Sequence, residues 1–342
     1  MQKLTTLLRY LLAAVGTLTL ALTLLSIIPE PAAWWLKVLK FPRLQLLIVH
    51  ALVVVGLLVL GGKRHRAAHW LLVLGTDVGV ALQAYFILPY TVLGEKTVPD
   101  ARPTEMNSRA SRLRLLIVNV LMENRKAAPL RELVQATRPD VLLAMETDAW
   151  WIEALRPLRA LYPYRVELPR ANTYGLILYS RLPLKNTQVR YLEHSGVPSV
   201  HTRLRLPDGR FVALHGVHPP PPVPLKYLDK DRNYKEVTLL QVGKMVKQQP
   251  GPAIVAGDFN DVSWSFTSRM FEADGTLRNV RLGRGLYSSF RATSLVMRWP
   301  LDHVFVTKEF QLAKLSRLSS VGSDHFPIYV ELVLSETPAS GQ

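Results

Sequence analysis

Three apolar stretches, Leu11 to Ile28, Leu44 to Gly62 and Ala67 to Tyr90, restrict this chain more than anything else in it. Each is about the ~20 residues that a helix needs to cross a bilayer. Within hydrocarbon a lone segment satisfies its own backbone only as a helix. A cleavable signal peptide would account for the first stretch but not for the other two. Residues 1–90 therefore read as an anchor of three transmembrane helices. Lys63, Arg64 and Arg66 lie between the second and third stretches, and Lys3 and Arg9 precede the first. The positive-inside rule puts both groups in the cytoplasm, so that everything after the third helix is extracytoplasmic. Lys37, Lys40 and Arg43 pull the other way. They stand among Trp34, Trp35 and Phe41, as in an amphipathic segment lying at the interface. Two polar residues, His50 and Asp77, sit inside the spans. At ~1.5 Å per residue both fall roughly 15 to 18 Å from the shared loop. An interhelical hydrogen bond between them is the expectation, ahead of a proton or ligand pathway.

The chain changes character after Tyr90. Residues 91–111 contain Gly94, Pro99, Asp100 and Pro103 with no sustained period, and read as a linker. From Arg112 strand and helix signals alternate. Leu113 to Val120, Val141 to Met145 and Gly175 to Tyr179 read as buried strands. Val200 to Leu206 and Arg210 to Val217 flank Pro207, Asp208 and Gly209 as a hairpin. Pro252 to Gly257, Leu301 to Val306 and Phe326 to Leu332 complete the strands. Helices are expected from Pro129 to Thr137, through Trp150 and Leu155, and from Asp229 to Gln248. Mixed strands with interspersed helices imply an α/β domain of two packed sheets with helices outside, over residues 112–334, ahead of a short tail at 335–342. The chain has no cysteine, which excludes disulfides, thiolate nucleophiles and Cys-ligated zinc. From Ser108 onward it carries 32 of the 42 Lys and Arg but 21 of the 26 Asp and Glu. Such a basic domain is drawn to polyanions, either nucleic acid or an anionic membrane surface.

Polar residues recur where the apolar runs end: Asn119, Glu146, His218, Asp258 with Asn260, Asp302 with His303, and Asp324 with His325. Any one of them serves equally well as a cap or turn residue. Together they form a set of oxygen and imidazole donors without sulfur. Such a set favours a hard cation, Mg²⁺ or Mn²⁺, that keeps waters and takes substrate phosphate. In the stretch Ile254 to Ser263, Asp258 and Asn260 point the same way on an extended backbone while Phe259 turns back. An Asp there can take a proton from water, and an Asn amide can donate to a phosphoryl oxygen as charge builds.

Gly257-Asp258-Phe259-Asn260, Leu301-Asp302-His303-Val304-Phe305 and Gly322-Ser323-Asp324-His325-Phe326-Pro327-Ile328, in that order, resemble the endonuclease/exonuclease/phosphatase superfamily. Val118-Asn119-Val120, Ala144-Met145-Glu146 and Val217-His218-Pro219 agree with its upstream motifs. The resemblance covers roughly residues 112 to 334 and implies a four-layer α/β/β/α sandwich. With the leading helices and the prolines after His218, it is most similar to a bacterial membrane-anchored branch. Met145 stands where that family usually has Gln. Carried over by position, the resemblance implies that Glu146 binds the divalent metal with Asn119 and Asp324 near it. Asp258 would activate water, Asn260, His218 and His325 would donate to the phosphorane, and Asp302 would hold the His325 imidazole.

Other residues carry plainer expectations. His215 and His303 point into packing, and Asn124 approaches the site only as a minor alternative. Arg281, Arg284, Arg291 and Arg298, with Tyr287 and Phe290, form either a solvated loop or a rim for an acidic headgroup. The function expected first is a phosphohydrolase or phosphodiesterase on the outer face of a bacterial cytoplasmic membrane, acting on a lipid-linked or other anionic phosphate. Tethering favours it, because a surface-held enzyme meets headgroups at high effective concentration. A membrane-tethered nuclease with the same site comes second. A catalytically inactive binding module comes third, although Asp258, Asn260 and His325 are all present.

Overall fold

The structure is a computed structural model that describes residues 2–29, 33–60, 67–106, 111–192, 194–222, 234–273 and 275–335. The basic loop at Lys63, Arg64 and Arg66, the start of the Asp229–Gln248 helix and all but the first residue of the expected tail lie outside them. The N-terminal part is α1 (Gln2–Ser26), α2 (Trp34–Val38), α3 (Arg43–Leu60) and α4 (Ala67–Ile87), then a 3₁₀ turn, Leu88–Tyr90. After α5 (Pro103–Met106) come β1 (Arg112–Asn119), α6 (Ala128–Thr137), β2 (Val141–Met145), α7 (Ala149–Ala154), β3 (Tyr164–Leu168) and β4 (Leu176–Ser180). Next are β5 (Leu184–Arg190), β6 (Ser199–Arg205), β7 (Phe211–Gly216), α8 (Tyr234–Gln248), β8 (Ala253–Asp258) and α9 (Phe266–Ala273). The chain closes with β9 (Arg278–Asn279), β10 (Asp302–Val306), β11 (Phe310–Arg317) and β12 (Ile328–Leu334).

The strands form two six-stranded sheets, ordered β11-β12-β1-β2-β4-β3 and β5-β6-β7-β8-β10-β9. Period-two alternation divides each central strand between two cores. On β1, Leu113, Leu115 and Ile117 enter the core between the sheets, while Leu116 and Val118 face the layer of Leu130, Val134 and Trp151 from α6 and α7. On β8, Ile254 and Ala256 point inward, while Ala253 and Val255 pack with Leu239, Val242 and Phe271 from α8 and α9. The result is the expected four-layer α/β/β/α sandwich. β3, β5, β9 and β11 have no counterpart in the sequence reading, and all four are sheet edges. An edge strand needs no continuous apolar run, and charge there discourages pairing with other chains. In β5, Lys185, Asn186, Thr187 and Gln188 are exposed.

The three long helices are long and apolar enough to cross a membrane. His50 and Asp77 do not meet. His50 is buried, with Nε2 3.0 Å from Thr23 Oγ1, and packs so tightly on Gly79 that a Cβ there would lie 2.6 Å from its ring. Asp77 lies on the exposed face of its helix beside buried Thr76, two residues from the Gly79 that His50 packs against. Nor is the expected linker loose: Val98 is buried between the sheets, and Leu312 N and Ala101 N bond Pro99 O and Leu312 O at 2.9 Å. The N-terminal helical segment docks directly on the sandwich, through Tyr90 Oη to Ser263 O at 2.6 Å and Trp264 Nε1 to Lys40 O at 2.7 Å.

Candidate active site

Strand parity assembles the site. Asn119 continues the inward series of β1, Asp258 that of β8, and Asp302 that of Val304 and Val306 on β10. All three carboxamide or carboxylate groups therefore emerge between the sheets, beyond the last apolar layer. Gly257, at φ +146°, permits this approach, because a Cβ there would lie 1.9 Å from Val217 O.

Asp258 and Asp302 are directly opposed in the β8–β10 register. Two buried carboxylates so placed repel each other. His325 resolves the conflict, with Nδ1 2.7 Å from Asp302 Oδ2 and Nε2 3.5 Å from Asp258 Oδ2. Burial opposes protonation of this imidazole, but the charges of Asp302 and Asp258 outweigh it and push the pKa up to about 10. Burial drives the Asp258 pKa upward, against the pull of His325, whereas His325 holds Asp302 low despite its burial. Donor atoms of Asp258, Asp302 and His325 all lie within 4.8 Å of one another. With Nδ1 committed to Asp302, a proton fits this cluster better than a hard cation, which prefers oxygen. Nitrogen chemical shifts of the His325 ring should therefore be those of an imidazolium from pH 6 to pH 9, and Asp302→Asn should move its deprotonation down into that window. A neutral ring at pH 7 in the parent protein would contradict the arrangement.

The remaining expected residues surround this cluster. Asn119 Nδ2 donates to Glu146 Oε1 at 2.7 Å and to Asp258 Oδ2 at 3.1 Å, while its Oδ1 accepts from Leu121 N. Both ends of the amide are thus used to hold carboxylates and backbone. Glu146, at φ +60°, has its pKa raised by burial and further by the nearby charge of Asp324. His218 Nε2 is 3.8 Å from Asp258 Oδ2. Burial, with the neighbouring His325 charge, pushes its pKa down to about 3, so it is neutral. Its Nδ1 is buried without a hydrogen-bond partner among the described residues. Asn260, also at positive φ, donates from Nδ2 to Pro219 O at 3.0 Å, and its N–H donates to Asp258 Oδ1 at 2.8 Å.

Supporting residues come both from within the sequence motifs, as Met145 and Ser323 do, and from outside them. Met145 Sδ accepts from Asp258 N at 3.0 Å, Ser289 Oγ from Asp302 N at 3.1 Å, and Ser323 Oγ from His325 N at 3.0 Å. Phe290 lies against the His325 ring at 4.9 Å, and Tyr174 against His218 at 5.3 Å. Single Ser, Tyr or Phe residues in loops give no periodic or spacing signal that marks them beforehand. His303 lies on the outer face of β10 among Phe259 and Phe305, with Nε2 2.8 Å from Asp261 O. His215 pairs with His201, Nδ1 to Nδ1, at 2.8 Å. Asn124 binds the backbone of Val120 and Val321. The arginine stretch divides: Arg281 is buried behind the site, donating to Asp302 O at 2.8 Å, and Arg284 binds Val98 O and Asp100. Arg291 is exposed and Arg298 half-buried.

The model of the Endonuclease/Exonuclease/phosphatase family matches residues 116–325, the span from β1 to His325. The chain belongs to this family. Its members share a phosphoesterase fold, and similar solved structures agree. The human Nocturnin catalytic domain is 16% identical with a TM-score of 0.53, over 68% of this chain and 100% of that one. A family protein from Bacteroides thetaiotaomicron is 18% identical with a TM-score of 0.52, over 66% of this chain and 98% of that one. At such identities the likeness is one of fold. A UPF0294 protein of Vibrio cholerae is 33% identical over 136 residues, which is 40% of this chain. The match spans 45% of that relative's length.

Proposed function

We propose that this family member is a membrane-anchored, divalent-metal-dependent phosphoesterase that hydrolyses a lipid-linked or other anionic phosphate at the outer face of a bacterial cytoplasmic membrane. One observation carries the reading: the reactive end of the sandwich is built against the end of the helical anchor. Phe290 touches the His325 ring at 4.9 Å and stacks on Trp299 at 6.1 Å, and Trp299 meets Phe41 of the anchor at 5.8 Å. A phosphate held at a membrane surface is thus presented near the catalytic cluster, whereas a diffusing polymer gains little from three apolar helices.

The residues fit a hard cation at Glu146 and Asp324. Burial, and to a smaller extent the Asp324 charge, raise the proton affinity of Glu146, and no ion pair to either carboxylate appears among the described residues. When bound there, Mg²⁺ or Mn²⁺ would neutralise phosphoryl charge. Asp258 orients the attacking water and takes its proton as the water oxygen bonds to phosphorus and the ester P–O bond opposite it breaks, the departing oxygen taking a proton from solvent; its raised pKa suits a base working near neutrality. The protonated His325 and neutral His218 donate to the phosphoryl oxygens as negative charge grows. Asp302 keeps the His325 ring charged and aimed. Asn260 fixes the Asp258 carboxylate through its N–H and ties it to the Pro219 segment that carries His218.

The test is phosphate release by the full chain in lipid nanodiscs, offered polyprenyl phosphates, phospholipids and duplex DNA, with Mg²⁺ and with EDTA. Metal-dependent turnover confined to the lipid phosphates is the expected result. Turnover of DNA alone would establish the nuclease reading instead, and full activity after dialysis into EDTA would end the metal assignment.

A further inference from the structure

The loop between Phe290 and Trp299 ends in an apolar tip that the catalytic cluster does not use. Leu295 is 87% exposed, Val296 71% and Met297 37%. Three consecutive large apolar residues so exposed are costly in water and mark a contact surface. Their position says which one. Gln45, in the first turn of α3, donates from Nε2 to Val296 O at 2.7 Å, which holds the tip beside the end of a helix long and apolar enough to span a bilayer. Immediately behind the tip, Arg298 and Arg317 share one aromatic ring, with guanidinium carbons 5.0 and 4.6 Å from the Phe326 centroid. Neither has a carboxylate partner among the described residues; Arg298 donates to Ala292 O and Arg317 to Ser288 O. Arg298 Nε is buried without a partner among the described residues. Burial and the Arg298 charge both push the Arg317 pKa down, as for two cations awaiting an anion. Phe326 follows His325 directly, so this basic pair adjoins the site.

We infer that Leu295, Val296 and Met297 enter the acyl boundary of the outer leaflet, and that Arg298 with Arg317 takes the phosphate of an anionic phospholipid there. The loop is then a fixed lip between bilayer and active site, along which a lipid-borne phosphate reaches His325 without leaving the surface. Apolar insertion and paired guanidiniums are complementary to the two layers of a leaflet, tails below and phosphates above. A free nucleic acid would match the arginines but leave the tip in water. The inference rests on the proposed membrane setting, and its readouts need no turnover, so failure to find a substrate leaves it testable.

The absence of cysteine makes Val296→Cys a unique spin-labelling position. Pro207→Cys, exposed in the hairpin at the opposite end of the sheets, is the control. With the full chain in phosphatidylcholine nanodiscs containing phosphatidylglycerol, the label at 296 should collide more with oxygen than with a water-soluble nickel chelate, and the label at 207 the reverse. Equal, water-like accessibility at both positions would overturn insertion of the tip. In native mass spectrometry of the detergent-purified chain incubated with phosphatidylglycerol, Arg298→Gln with Arg317→Gln should lose at least one retained lipid relative to the parent. Equal retention would overturn the guanidinium site.

Discussion

Asp258→Asn should lower turnover by roughly 10²- to 10⁴-fold, the range for loss of a general base, while KM changes little. The substitution keeps the size of the side chain and its ability to accept from Asn260 N, and removes only the charge that takes the proton of water. His325→Ala should cost a similar factor, because it removes the donor that meets charge developing on the phosphoryl group. Their effects should not multiply. With His325 Nε2 3.5 Å from Asp258 Oδ2, each sets the other's charge, so the double variant should be little worse than the poorer single one. Asp302→Asn should give a milder form of the His325 defect, since the ring stays but loses the partner at 2.7 Å that keeps it protonated. Measuring turnover and melting temperature on the same proteins separates chemistry from folding. A well-folded Asp258→Asn protein with near-parental turnover would end the catalytic assignment. A fall in melting temperature large enough to explain the lost activity would return these residues to a structural role.

The second large effect belongs to Glu146. Glu146→Gln should weaken Mn²⁺ binding, followed by paramagnetic relaxation or calorimetry, by more than the roughly 10- to 100-fold typical of losing an outer-shell partner. A hard cation seeks the carboxylate charge, and the amide that replaces it is neutral. Asn119 should show the smaller effect: its Nδ2 faces Glu146 and Asp258, so Asn119→Ala loosens the carboxylates without removing one. Mn²⁺ binding unchanged in Glu146→Gln would move the metal elsewhere among these residues, with Asp324 the next to replace.

The arrangement also explains how the site tolerates its own charge. Three carboxylates, Glu146, Asp258 and Asp302, approach one another at the end of two sheets, two of them fully buried. Burial favours protonation of each. The single imidazolium of His325, set between Asp258 and Asp302, lets both remain available as anions, the forms in which Asp258 can accept a proton and Asp302 can hold the imidazolium.

Much of this was legible in the sequence because it was written locally. Twenty-residue apolar runs specify helices that suit a bilayer, and period-two alternation in Leu113 to Asn119 and Ile254 to Asp258 specifies central strands whose polar last residue points the same way as the inward apolar ones. Only the tertiary structure decided the rest, because those relations join residues far apart in the chain or depend on helix azimuth. The edge strands β3, β5, β9 and β11 exist through their neighbours, not through apolar runs of their own. Rotation about the helix axis put Gly79, not Asp77, against His50. The direct opposition of Asp258 and Asp302, with His325 between them, is set by a strand register. The docking of the N-terminal helices on Ser263 and Trp264, through Tyr90 and Lys40, is a contact between surfaces, and no periodicity within either segment encodes it.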